Sequence, residues 1–233
     1  MQDEQKRMLR SLFVPGIFVL AMWLVKIFET VSHIDLEVFG LAPKSWHGLM
    51  GILFSPLLHA NFSHLSANTL PFLFLGGLLF YFYRSIAWKI FWQVWLITGL
   101  WVWVFARPDS VHVGASGVVY GFAAFLFLSG IIRRDSKLMA ITLLIAFLYG
   151  GLVWGIFPQL FPNQPISWES HLMGMLAGTI LAIYYRKSGP QKKEYQWEED
   201  EDDDDKFWEE DVEEKPENKK PEEGTTYNYE YKE

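Results

Sequence analysis

The sequence predicts an all-α membrane protein: six transmembrane helices in residues 12–187, followed by a disordered acidic cytoplasmic tail in residues 188–233. Three observations carry that expectation. First, 51% of the 233 residues are hydrophobic and 17% aromatic, and they gather into runs of membrane-spanning length. Second, the charge is segregated. Residues 188–233 hold 19 of the 27 acids and 7 of the 20 bases, net −12, which leaves +5 on residues 1–187 and accounts for the chain's −7. The acidic balance therefore belongs to the tail and says nothing about the body. Third, basic residues gather in every second connection between the runs, and so on one side of the membrane, as they do in polytopic membrane proteins.

In order, the expected spans are roughly 12–31, 61–83, 86–105, 116–132, 138–157 and 167–185. Residues 1–11, MQDEQKRMLR and one more, are charged and lead into a run without a small-residue cleavage site, so span one reads as a retained helix. Lys6, Arg7 and Arg10 precede span one, and Arg84 and Lys89 follow span two. Arg133, Arg134 and Lys137 follow span four; Arg186, Lys187, Lys192 and Lys193 follow span six. The opposite loops offer Lys44 and Arg107, with Lys26 near the end of span one. Both termini are thereby expected in the cytoplasm. The outer segments are a long loop, 32–60, a short polar one, 106–115, and 158–166, PQLFPNQPI, whose three prolines oppose helix. The tail, EEDEDDDDKFWEEDVEEKPENKKPEEG, has no periodic apolar face and reads as disordered, a solubilising appendage in preference to the alternative of a docking or regulatory arm. With no cysteine in the chain, disulfides, thiolate catalysis and iron–sulfur ligation are excluded.

Polar residues inside such spans are expensive and mark function by default. His64 and Asn68, in LHANFSHLSANTL, stand four apart on one face of span two, with His59 just before it. Ser116 opens span four in VHVGASGVVYG, and Tyr120 lies one turn on. His171 lies near the start of span six in SWESHLMGMLAG. Spans two, four and six all begin on the outer side, so Ser116, His171, His64 and Asn68 fall at similar depth. Gly117 with Gly121, and Gly174 with Gly178, form small-xxx-small faces on spans four and six. If those faces meet, His171 comes within reach of the Ser116 hydroxyl as a general base; both pairs packing elsewhere is the structural alternative. Glu169, two residues from His171, points elsewhere on the helix, so no carboxylate completes a triad, and Tyr120 is left to orient the imidazole by stacking. The N–H groups at the start of span four, with His64 and Asn68, are candidate oxyanion donors. A metal centre is disfavoured, because His59 and His64 are five apart and no H-E-x-x-H occurs.

At these residues the chain resembles the rhomboid family of intramembrane serine proteases, of the compact six-span prokaryotic type. The motifs are HANFSHLSAN in span two, GASGVVYG, with Gly114 as its first residue, at span four, and HLMGMLAG in span six. The resemblance covers about residues 10–187. It implies a rhomboid-like bundle and a serine endopeptidase with a catalytic dyad of Ser116 and His171. It also implies an oxyanion site of His64, Asn68 and the Ser116 backbone N–H, and Tyr120 packed on His171. Substrates would be transmembrane segments in the bilayer, cut near the outer face. No cofactor, metal or nucleic-acid partner is implied. It further suggests that 158–166 caps the site and that Trp154 and Phe157 border the route by which substrate arrives. Where relatives carry Trp-Arg in the first outer loop, this chain has Trp46-His47. A rhomboid-like protein that binds and escorts membrane clients without cutting them is the alternative function; a small transporter is a third, weakened by the absence of an inverted-repeat signal.

Overall fold

The structure, a computed structural model, describes residues 2–148 and 167–189. Seven α-helices account for most of them: α1 (Gln2–Ser32), α2 (Gly48–Phe54), α3 (Phe62–Phe82), α4 (Ala87–Phe105), α5 (Ser116–Arg133), α6 (Ser136–Leu148) and α7 (Trp168–Tyr184). Among the described residues there is no strand, only one isolated antiparallel bridge between Leu41 and His112. Four helices, α1, α3, α4 and α5, are long and apolar enough to cross a membrane. The expected span 138–157 lies in the described residues only as far as Leu148. The expected span 167–185 is the 17-residue α7, about 25 Å long at 1.5 Å per residue and so slightly short of the ~30 Å hydrocarbon core. Of the six expected spans, four are thus full-length helices, α7 is shorter, and α6 is described only as far as Leu148. Trp154, Phe157, the 158–166 cap and the tail from 190 onward lie outside the described residues.

One sequence expectation is extended and another needs revision. The charged N-terminal stretch is helical from Gln2 and continuous with span one. It contains no glycine or proline before Pro15, and Asp3 and Glu4 suit the positive end of the helix dipole. Residues 32–60 are more than a loop: they contain α2 and two 3₁₀ turns, Glu37–Phe39 and Ser55–Leu57. Gly48 and Gly51 permit this, since a Cβ on either would lie 1.8 and 2.3 Å from the backbone of Ala42 and Leu41.

The core forms where α3, α4 and α5 meet. Phe72, Phe91 and Phe122 are fully buried there, with ring centroids 5.4 to 6.1 Å apart. Helix α1 leans on α3 through Pro15 against Gly76 and Leu12 against Gly77, and Trp23 Nε1 donates to Thr69 Oγ1 at 3.0 Å. By contrast Leu20, Leu24, Phe28, Leu100, Val104 and Ile180 lie on the outside. Such an apolar exterior is stable facing lipid and unstable facing water.

Helix ends place the site. Asn61 caps α3 by accepting the His64 N–H at 2.8 Å. Helix α5 stops at Arg134, in the left-handed conformation (φ 55°), and starts just after Gly114, whose φ of +106° only glycine adopts readily. The pairing of α5 with α7 is the largest between any two elements among the described residues.

Candidate active site

The α5–α7 crossing is built on absent side chains. A Cβ on Gly174 would sit 1.9 Å from the Gly117 carbonyl oxygen, and one on Gly178 would sit 2.0 Å from that of Gly121. On the other helix, a Cβ on Gly117 would lie 2.9 Å from the Ser170 carbonyl oxygen, and one on Gly121 would lie 2.3 Å from Val94 Cγ1. The two glycine faces therefore meet each other, backbone against backbone. At the end of that seam His171 Nε2 lies 2.8 Å from Ser116 Oγ, a hydrogen bond between a buried imidazole and a half-buried hydroxyl. Tyr120 stacks on His171 with ring centroids 4.2 Å apart and planes 9° from parallel, fixing the ring's face.

Helix α3 approaches the same end. A Cβ on Gly114 would meet His64 Cε1 at 2.6 Å and Nε2 at 2.8 Å, so this glycine gives the His64 ring its place two residues before Ser116. Asn68 is buried and one of its amide N–H groups donates to the His64 carbonyl at 2.9 Å; the amide carries a second. Ser116 is the first residue of α5, so its N–H has no carbonyl one turn back inside the helix. A hydroxyl, a base, an aromatic platform and several donors thus converge at one end of the bundle. That set suits transfer of an acyl group through a covalent serine intermediate. Among the described residues no group of three or more His, Cys, Asp or Glu is arranged to hold a metal.

Glu169 does turn away from His171. It is buried, its Oε1 accepts from Arg107 Nε, and among the described residues its Oε2 has no hydrogen-bond partner. Several polar residues around the site had no assigned part in the sequence reading. His112 is buried between Ser110, Ser167 and Ser170. Burial holds its pKa below the ordinary histidine value; Glu169 opposes that and Arg107 adds to it. His59 packs edge-on against His64, with centroids 5.2 Å apart, and is 1% exposed. Burial, then the His64 charge, lowers its pKa to about 3, against a smaller opposing contribution from the Leu57 backbone, and among the described residues neither ring nitrogen has a hydrogen-bond partner. Lys26 is buried, donates to Glu29 Oε2 at 2.9 Å and to the Ala60 carbonyl at 3.0 Å, and so ties α1 to the turn before α3. The sequence signals were present but short: a histidine four residues before Ser116, a serine four before His171, and a Lys-x-x-Glu pair in an apolar helix.

Fold and site together define a polytopic helical membrane protein with a serine–histidine pair at one end of its bundle. The chain belongs to the rhomboid family: the Rhomboid domain model matches residues 46–188. It is 37% identical over 184 residues to an uncharacterized protein of Mycobacterium tuberculosis, covering 76% of this chain and 75% of that one. An uncharacterized protein of Mycobacterium leprae is 32% identical over 205 residues, 82% of this chain and 78% of the relative. The Bacillus subtilis protein named "Putative rhomboid protease YdcA" is 30% identical over 161 residues, 66% of this chain and 73% of the relative.

Proposed function

We propose that this protein is an intramembrane serine endopeptidase that cuts transmembrane segments of other membrane proteins near the outer face of a bacterial inner membrane. The observation that supports it most is the 2.8 Å approach of His171 Nε2 to Ser116 Oγ under the stacked ring of Tyr120. In this reading His171 is neutral with its free electron pair on Nε2, and the Ser116 hydroxyl donates to it. As Oγ attacks a scissile carbonyl, the proton passes to Nε2, and the oxyanion is met by the Ser116 N–H, the second Asn68 amide N–H and the His64 imidazole. The tetrahedral intermediate collapses when His171 returns the proton to the leaving amine. Water, deprotonated by the same imidazole, then releases the acyl group and restores Ser116.

The stacked tyrosine takes over the orienting task that a carboxylate performs in a triad, because it fixes the plane of the ring without a third charge in the membrane. A continuous substrate helix hides its carbonyls in hydrogen bonds, so the favoured substrates contain small or helix-breaking residues that unwind at the site. The protease unit is residues 12–187, and residues 188–233 are a cytoplasmic appendage on the same side as the N-terminus. The test is covalent labelling of the detergent-purified protein by a fluorophosphonate, with the modified peptide identified by mass spectrometry. Modification at Ser116, abolished in His171→Ala, is the expected result; modification at another serine, or undiminished labelling of His171→Ala, would overturn the assignment.

A further inference from the structure

The loop before Ser116 and the turn before His171 are joined by a partly buried hydrogen-bonded chain centred on the buried His112. His112 stands four residues before Ser116, and its backbone pairs with Leu41 through N–H to carbonyl bonds of 2.9 and 3.0 Å. Its ring bridges outward. Nε2 lies 2.8 Å from Ser110 Oγ, and Nδ1 lies 2.5 Å from Ser167 Oγ and 3.4 Å from Ser170 Oγ. Ser167 stands four residues before His171, and its carbonyl accepts the His171 N–H at 3.2 Å. Ser170 precedes His171 directly, and its carbonyl faces Gly117, next to the nucleophile.

The direction of the chain follows from donor counting. Ser110 Oγ is 2.6 Å from the Arg107 carbonyl, which only accepts, so the one hydroxyl proton of Ser110 goes there. His112 Nε2 must then carry a proton and donate it to Ser110 Oγ. In a neutral ring Nδ1 is then an acceptor, 2.5 Å from Ser167 Oγ, which in turn lies 2.7 Å from Ser170 Oγ. Beside it the Arg107–Glu169 ion pair makes a second link between the same loop and α7.

We propose that His112 is a positioning residue: its imidazole clamps the loop leading to Ser116 onto the first turn of α7 and so sets the approach of His171 to the nucleophile. The inference rests on the serine-protease reading above. It follows from leverage. The reacting pair is separated by one hydrogen bond, and a displacement of order 1 Å at such a pair slows reaction by about a hundredfold. His112 lies four residues before Ser116, and Ser167, which its ring contacts, lies four residues before His171.

The experiment compares wild type with His112→Phe, His112→Asn, Ser167→Ala and the His112→Phe/Ser167→Ala double variant, each in detergent with a melting curve. Three quantities are read: kcat and KM on a transmembrane substrate, and the rate of fluorophosphonate labelling of Ser116. His112→Phe keeps the ring and removes both nitrogens; kcat and labelling should fall about tenfold or more, with KM within about twofold. Asparagine, whose carbonyl can accept from Ser167 and whose amide can donate, should recover part of the loss. The double variant should be no slower than the slower single within about twofold, because both substitutions break one link. Labelling and cleavage by His112→Phe within about twofold of wild type would overturn the inference, as would double-variant losses that multiply. If His112→Phe does not fold, Ser167→Ala decides alone: a lowered kcat at unchanged KM supports the clamp and a wild-type kcat overturns it. Ser116→Ala runs alongside. Wild-type cleavage by Ser116→Ala brings down the protease reading itself, whereas wild-type cleavage by His112→Phe with Ser116→Ala inactive brings down only the clamp.

Discussion

Replacing Gly178 with alanine adds one methyl group to α7, two turns from His171, at a point where the added Cβ would lie 2.0 Å from the Gly121 carbonyl oxygen and 3.0 Å from the Phe125 nitrogen. Ordinary contact begins at 3.4 Å, so the two backbones must part by about 1.4 Å. The obstacle is backbone on both sides, and no rotamer change relieves it. In an unconstrained helix the same substitution is stabilising by about 1 kcal/mol, so any loss reports the crossing. If the separation reaches the seam's end even in part, the 2.8 Å hydrogen bond between His171 and Ser116 breaks. A shift of that size corresponds to about a hundredfold loss in kcat. The assay is cleavage of a transmembrane substrate by purified protein, with Gly16→Ala as the control, since a Cβ at Gly16 meets nothing within 4 Å. Gly16→Ala should cut as wild type does. A Gly178→Ala variant that cuts at the Gly16→Ala rate would refute the claim that the glycine seam sets the distance between base and nucleophile.

Three further expectations follow from the same contacts. Gly114→Ala combines an unfavourable φ of +106° with a Cβ 2.6 Å from the His64 ring, so it should lose activity by at least about tenfold. Adding His64→Ala removes the clash and leaves the backbone strain, so it should restore melting temperature only in part. Lys26→Met strands Glu29 and the Ala60 carbonyl and should lower stability by about 3 kcal/mol, seen in the melting curve; the further change Glu29→Gln should recover some of it. Stability should also fall on mild acidification. His59 has a folded pKa of about 3, below its ordinary value of 6.5, so its contribution is complete above about pH 6.5 and is lost as pH falls towards 3, because only the unfolded chain takes up the proton in that window. The slope is about 1.4 kcal/mol per pH unit per group. His112 shifts in the same direction. Melting followed from pH 7.5 to 5 should show the decline, shallower in His59→Phe; a flat profile in wild type would contradict it.

The long apolar helices α3, α4 and α5 could be read from the sequence to within a residue or two because a membrane leaves no alternative. Each run is the length of the bilayer and ends at a capping or turn residue such as Asn61 or Gly114. The candidate site was legible for the same reason: Ser116, His64 and His171 are polar exceptions near the starts of alternate spans, which topology carries to one end. What stayed hidden has weaker local signals. Helix α2 depends on Gly48 and Gly51 packing on Ala42 and Leu41, contacts within the outer loop that no periodicity announces. The His112 chain joins residues 110, 112, 167 and 170 across two segments, and polar residues in short outer segments look the same whether they are solvated or buried. Helix α1 extends beyond the expected span because charged residues such as Lys6 and Arg7 end a hydrophobic run without ending a helix.

The central claim is that Ser116 and His171 act as one catalytic unit on a transmembrane substrate. The most direct measurement is the initial rate of cleavage of a single-span substrate by purified wild type, Ser116→Ala, His171→Ala and the double variant at equal concentration in detergent. Wild type should release two fragments, while both single variants and the double should fall to one common, near-background rate, because residues that work as a unit are not additive. Cleavage by Ser116→Ala at the wild-type rate would contradict the account.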